Sequence, residues 1–381
     1  MVQLTFDEST VDARIAECPD TAAVFLIWPK EGKPYLGKTS LLRRRLKRLL
    51  GPRAHSSRFL HLRPVAERID YWLYGSRLEA NLRMYGLARE HFPEDYARIL
   101  KLRQPAYVKL VLTNEYPRTH VTTRLSGSAS LHFGPFSTRA AAEQFEGGFL
   151  DFFQLRRCQE DLVPSPEHPG CVYGEMNKCL RPCQQVVSAQ EYASEAQRVS
   201  AFLSTSGAAL LESLETARDR LSADLEFEEA ARTHKRLERA QSVVQGKGDL
   251  ATDVRTLSGI AIVPSAAPEC VGLWPFFNGI WRAGCDFALR EEEGSPRPMD
   301  RRLREVLEQL PAARRVSLSE RQDHMAILAG WYFSSWRDGE WVPFADPANP
   351  PYRKLVNAIH RVAKGATAVP RPAAQTPETA S

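Results

Sequence analysis

The apolar run Val24-Phe25-Leu26-Ile27-Trp28 stops at Pro29, turns through Lys30-Glu31-Gly32-Lys33 and resumes at Tyr35-Leu36-Gly37-Lys38. Two short runs around a Gly-containing turn predict a hairpin. Leu41-Leu42-Arg43-Arg44-Arg45-Leu46-Lys47-Arg48 then predicts a basic helix from about Thr39 to Leu50. A strand around Ile69–Leu73 and a helix after Ser76 follow, with Ser76 three residues ahead of Glu79 at capping-box spacing. Alternation at Tyr107–Leu112 and His120–Thr123 predicts two strands, and a helix is expected from Thr138 to Phe152. Leu210, Leu214, Ala217 and Leu221 recur at helical spacing. The pattern breaks near Asp224–Phe227 and continues through Ala230, Ala231, His234 and Leu237. This is a helical hairpin over 208–244 whose apolar stripes are too narrow for a core of its own, so it is expected to pair with another hairpin. The 255–290 stretch is strand-like and aromatic, 300–363 is mostly helical, and 364–381 is expected to be a disordered tail.

These elements add up to an α+β multidomain chain, and 381 residues suffice for two or three cores. The boundaries fall at 1–103, 104–207, 208–244 and 255–363, the last being an α+β region of no assigned role. Net charge is only +5, yet between Lys33 and Arg63 there are ten Lys or Arg and no Asp or Glu. One surface is therefore strongly positive, with Arg43, Arg44, Lys47, Arg48 and Arg53 as its candidate contacts to a polyanion. No apolar run approaches the ~18 residues of a membrane span, and the first residues lack the basic and apolar start of a secretory signal. A cytoplasmic protein without a membrane partner is the expectation.

Four of the seven cysteines, Cys158, Cys171, Cys179 and Cys183, fall within 26 residues at spacings Cx12C, Cx7C and Cx3C. In a reducing compartment such a group reads as metal ligands before disulfides, and four thiolates suit either zinc or an iron–sulfur cluster. Pro164, Pro166, Pro169, Gly170 and Gly174 leave the segment too loop-rich to be held by packing alone. The alternative is four unligated thiols in a long loop.

Several motifs converge on one resemblance. Val24-Phe25 ahead of Tyr35-Leu36-Gly37, Arg45 downstream, and Leu78-Glu79-Ala80-Asn81 resemble the GIY-YIG nuclease domain. Phe133-Gly134-Pro135-Phe136, the cysteines ending in Lys178-Cys179-Leu180-Arg181-Pro182-Cys183, and Leu225-Glu226-Phe227-Glu228-Glu229-Ala230-Ala231 match in order the N-terminal half of the UvrC family. Together they cover roughly residues 20–245. The resemblance implies a GIY-YIG domain over 1–103, a cysteine-cluster segment over 104–207 with a [4Fe–4S] cluster (zinc as the alternative), and a UVR hairpin over 208–244. It further implies that Glu79 is the sole protein ligand of a Mg²⁺ or Mn²⁺ ion, that Tyr35 orients or activates the attacking water, and that Arg45 and Lys38 contact the scissile phosphate. Leu225, Phe227, Ala230 and Ala231 would dock on UvrB.

Three residues depart from the nuclease pattern. Ala23 and Phe25 stand where Gly and Tyr are expected, so the catalytic position at Phe25 lacks a hydroxyl, and Leu49 replaces a Tyr one turn beyond Arg45. Nothing after the hairpin resembles the family's second, RNase H-like nuclease, which implies a Cho-like relative with a single cut, 3′ to a lesion in damaged duplex DNA. The competing reading is an accessory protein that binds DNA and UvrB without cutting.

Overall fold

The computed structural model describes residues 1–52, 60–113, 115–127, 130–290, 297–309 and 315–365. Arg53 and nearly all of the expected tail lie outside them. The N-terminal part runs β1 (Val2–Thr5), α1 (Val11–Glu17), β2 (Ala23–Pro29), β3 (Tyr35–Thr39), α2 (Leu42–Leu50), β4 (Ala66–Leu73), α3 (Arg77–His91) and α4 (Tyr96–Leu100). Its four strands form an antiparallel sheet in the order β1-β4-β2-β3. β2 reads as an unbroken apolar run because both of its faces are covered. Ala23, Phe25 and Ile27 pack under α1 and α2, while Val24 and Leu26 pack under α3.

Gly37 pairs with Phe25 across β2 and β3, and a Cβ there would lie 2.6 Å from the Phe25 ring. Phe25 is fully buried and has no room to retreat. Gly37→Ala is therefore expected to cost about 1–3 kcal/mol by overpacking, read as a lowered midpoint in urea unfolding; an unchanged midpoint would show that the ring yields.

The middle part holds β5 (Ala106–Val111), β6 (Arg118–Thr122), β7 (Ser130–Phe136), α5 (Arg139–Leu150), α6 (Val172–Glu175), α7 (Ala189–Ser204), α8 (Ala208–Ala223), α9 (Phe227–Gly246) and β8 (Thr252–Asp253). The sheet order is β6-β5-β7-β8. α8 and α9 make the expected hairpin, but Leu210, Leu214, Leu237 and Ala240 at its base join the core formed by Phe145, Phe149 and Phe202 of α5 and α7. The base of each stripe is thus covered by this chain's own middle sheet and helices, while Ala217 and Ala231 toward the tip stay exposed.

The C-terminal part holds β9 (Gly259–Pro264), β10 (Cys270–Phe277), β11 (Ile280–Trp281), β12 (Cys285–Ala288), α10 (Met299–Glu308), α11 (Leu318–Tyr332), β13 (Glu340–Pro343) and α12 (Tyr352–Ala363). Its sheet runs β11-β10-β9-β13, with β12 also paired to β10. α10 and α12 cover one face. The other face packs on α11, and the same core takes in Leu78 and Tyr85 of α3. α3 is thereby shared between the first and last sheets. Both Tyr85 and Tyr96 donate to Asp323 Oδ2, at 3.3 and 3.0 Å, and Arg89 pairs with buried Glu320 at 3.0 Å. Among the described residues no helix is long and apolar enough to cross a membrane.

Candidate functional site

Helix α2 is amphipathic by spacing. Leu42, Leu46, Leu49 and Leu50 are buried against the first sheet, and the basic residues between them face outward. Arg44, Lys47 and Arg48 are exposed, as a polyanion contact requires. Arg43 is partly spent on the fold, since its Nε donates to the Cys18 carbonyl at 2.7 Å. Arg45 turns toward β3, where its Nη2 donates to Tyr35 Oη at 3.0 Å while its buried Nε has no partner. Phe25, 6.1 Å from Tyr35 between ring centroids, is sealed in the core and offers no polar atom.

Alternate residues of a strand face opposite sides of its sheet. Tyr35 and Gly37 lie on the α2 face of β3, so Leu36 and Lys38 lie on the α3 face, and Lys38 Nζ donates to Asn81 Oδ1 of α3 at 3.0 Å. Burial, helped by nearby Arg77, lowers the Lys38 pKa. Glu79 sits in the first turn of α3. Ser76 caps that helix by accepting from the Glu79 N–H at 3.1 Å, but the Glu79 carboxylate reaches past Ser76 to the Gly75 N–H at 3.0 Å. The expected capping box is therefore half formed. Burial raises the Glu79 pKa; the Gly75 hydrogen bond opposes this, Asp286 adds to it and Arg83 offsets it.

The structure thus joins Tyr35 to Arg45 and Lys38 to Asn81, with Glu79 bonded to backbone. Among the described residues no hydrogen bond or ion pair links these three groups. All of them flank β3, an edge strand with one side unpaired. A lone carboxylate oxygen donor is chemically suited to Mg²⁺ or Mn²⁺.

The start of α3 is held from the C-terminal part. A Cβ on Gly75 would strike the backbone of Ser265 at 2.2 Å, the Arg77 N–H donates to Asp338 Oδ2 at 2.6 Å, and the Arg77 guanidinium lies 3.7 Å from the Trp336 ring centroid.

Cys158, Cys171, Cys179 and Cys183 form no disulfide. Burial above all pushes the Cys179 pKa up to about 11, and charge on the other three thiols adds to the rise. The Arg181 N–H donates to Cys179 Sγ at 3.3 Å. Asp151 anchors the segment by accepting from Arg157 and Lys178, and also from Arg239 of α9 at 2.6 Å. Among the described residues no group of three or more His, Cys, Asp or Glu is placed to hold a metal ion. The four thiols, one of them accepting a backbone N–H, nonetheless supply the donor chemistry of a tetrathiolate centre. Buried Arg156, whose Nη1 donates to Cys158 Sγ at 3.5 Å, escaped sequence reasoning; its only signal was an Arg-Arg doublet beside a cysteine.

At the turn of the α8–α9 hairpin, Leu225 is 72% exposed with φ of 61° and Phe227 is 64% exposed. Phe227 is not inserted between the helices of its own hairpin. Ala231 is exposed and Ala230 half-buried on the same first turns of α9.

Comparison with known proteins places these features in context. Residues 107–202, which carry β5 to α7 and all four clustered cysteines, match the family described as UvrC/Cho excinuclease, middle domain. UvrABC system protein C of Lachnospira eligens is 24% identical over 290 residues, covering 74% of this chain and 47% of that protein. The Moorella thermoacetica protein of the same name is 24% identical over 355 residues, covering 92% of this chain and 57% of its own length. That of Alcanivorax borkumensis is 27% identical over 259 residues, covering 65% and 42% respectively. The chain spans about half the length of the curated relatives it matches. No solved structure matches.

Proposed function

From this relation to UvrC proteins we propose that the chain acts in nucleotide excision repair as a metal-dependent DNA endonuclease, cutting 3′ to a lesion on duplex loaded by UvrB. The observation that carries the reading is the Arg45–Tyr35 pair, joined at 3.0 Å beside an edge strand, with one buried guanidinium nitrogen unpartnered. A phosphodiester laid along β3 would meet Arg45 from the α2 face and Lys38 from the α3 face. Cleavage develops negative charge on the phosphate oxygens, and fixed cations in a partly desolvated site stabilise it. Arg45 also holds the Tyr35 hydroxyl in place as a donor or acceptor for the attacking water. A divalent cation on Glu79 would supply charge neutralisation and water activation when bound. Arg44, Lys47 and Arg48 extend the positive surface and would give binding a steep salt dependence.

The test combines purified protein, UvrB-loaded damaged duplex and Mg²⁺ or Mn²⁺. A 3′ nick that disappears in Arg45→Met supports the enzyme. The second reading, an accessory protein, is favoured by the sealed Phe25 and by a Glu79 carboxylate that bonds the Gly75 N–H and not Tyr35; saturable DNA binding without a nick in either metal would establish it.

The hairpin tip is the proposed UvrB contact. Exposed Leu225 and Phe227 on a mixed-charge helical pair, with Leu225 in a left-handed conformation that disfavours side chains, suit protein docking better than DNA binding. Phe227→Ala is expected to weaken UvrB binding by about 10-fold or more, as for a truncated aromatic anchor, with unchanged thermal unfolding. Equal affinity in a binding titration would remove the tip from the interface.

The four cysteines are proposed to hold a [4Fe–4S] cluster, with zinc as the alternative. A brown protein with broad visible absorption supports the first, and a colourless protein with one zinc per chain the second.

A further inference from the structure

Arg156 is 1% exposed, so its guanidinium has left water almost completely. Its Nε donates to the Tyr116 carbonyl at 2.9 Å, and Nη1 donates to the Glu160 carbonyl at 2.8 Å and to Cys158 Sγ at 3.5 Å. Buried Nη2 has no partner. Among the described residues no carboxylate pairs with it. A buried cation satisfied only by neutral carbonyls is a poor arrangement, because the charge remains uncompensated in a medium of low dielectric.

The compensating charge is one bond away. Cys158 lies beside the guanidinium, and the backbone of Arg156 is tied into the same neighbourhood by donating to Tyr192 Oη at 3.0 Å. Tyr192 Oη in turn donates to the Pro117 carbonyl at 2.8 Å, which fixes where the guanidinium can lie. Four thiolates around either Zn²⁺ or a [4Fe–4S]²⁺ core leave a net charge of about minus two. Such a centre would supply the anion that Arg156 lacks.

We propose that Arg156 is the built-in counter-cation and hydrogen-bond donor of the four-cysteine centre, a positioning residue that holds Cys158 Sγ in place and tunes the metal. This rests on the four-cysteine reading above. Hydrogen bonds to ligand sulfur and charges around a cluster are established levers on reduction potential. A cation at this place favours the reduced, more negative cluster, so its loss lowers the potential.

The experiment compares wild type, Arg156→Lys and Arg156→Met, all purified anaerobically, for iron and zinc content, metal retention against a chelator, and midpoint potential where iron is present. Arg156→Met is expected to bind its metal about 10–100-fold more weakly, with Arg156→Lys intermediate. For an iron–sulfur cluster, a tenfold change in the one-electron equilibrium moves the midpoint down by about 59 mV in Arg156→Met. Metal-loaded wild type and Arg156→Met with the same retention and, for iron, the same potential would overturn the role of Arg156 alone. Wild type with no metal at all would overturn the four-cysteine reading and this role together. If Arg156→Met does not fold, wild type labelled with ¹⁵N at the arginine side chains answers the same question. A protected Nη–H resonance that shifts on metal removal supports the assignment, and one indifferent to the metal overturns it.

Discussion

Glu79→Gln should leave UvrB-loaded DNA uncut, with incision down by at least about 10²–10³-fold, as for removal of one preorganised charge-stabilising group, while the protein folds as well as wild type. Gln preserves the shape and still accepts the Gly75 N–H that Glu79 now holds at 3.0 Å. What it removes is a carboxylate that burial makes reluctant to ionise. Because the folded-state pKa is raised, the folded protein grips that proton more tightly than the unfolded chain. The stabilisation this confers is complete at low pH and is lost as pH climbs through the raised pKa. Glu79→Gln should therefore gain on wild type in thermal unfolding as pH rises through that window, then run parallel to it. Cation binding needs the ionised form, so wild-type incision should climb across the same window. Retained cutting in Glu79→Gln would end the metal-ligand assignment; lost cutting together with lost folding would make the residue merely structural.

Cys179→Ser is the second large effect. It should strip metal from the protein and lower its melting temperature by about 10 °C, since a ligand held at a thousandfold excess over its Kd stabilises the folded state by about 4 kcal/mol. Cys179 is the telling choice because it is 7% exposed and the Arg181 N–H already donates to its sulfur. Ser fits the space but is a poor ligand for a soft centre. The effect should reach the hairpin, because Asp151 ties Lys178 and Arg157 of the cysteine segment to Arg239 of α9. Weakened UvrB binding beside the lost metal would report that connection. An unchanged melting temperature and metal content would leave the cysteines as ordinary thiols.

How much of this was legible in the sequence depends on how locally each feature is encoded. The β2–β3 hairpin and α2 were readable because a Gly-containing turn and leucines at helical spacing are short-range signals. β7 was missed as a strand because all seven of its residues are buried and no alternation remains to detect. β1 was missed for the opposite reason, being a short, mostly exposed edge strand. α7, despite a complete Ser188–Glu191 capping box, was passed over in the shadow of the cysteine loop.

The candidate site shows the same limit. Tyr35 and Lys38 are three residues apart, and an odd separation in a strand places two side chains on opposite faces. That division was present in the spacing but became readable only with the strand itself. Arg156 left only the Arg-Arg doublet beside Cys158 as a signal, because its isolation from any carboxylate is a property of three-dimensional neighbours.

The seat of Gly75 against Ser265, reinforced by Asp338 on the Arg77 amide, has a further consequence. The carboxylate proposed for the cut belongs to the first third of the chain, yet the stretch of backbone that positions it is braced by residues that leave the ribosome some 190 and 260 positions later. A newly made polypeptide would carry the blade long before it carries the handle, and the cutting edge would be set only when synthesis has passed the last sheet.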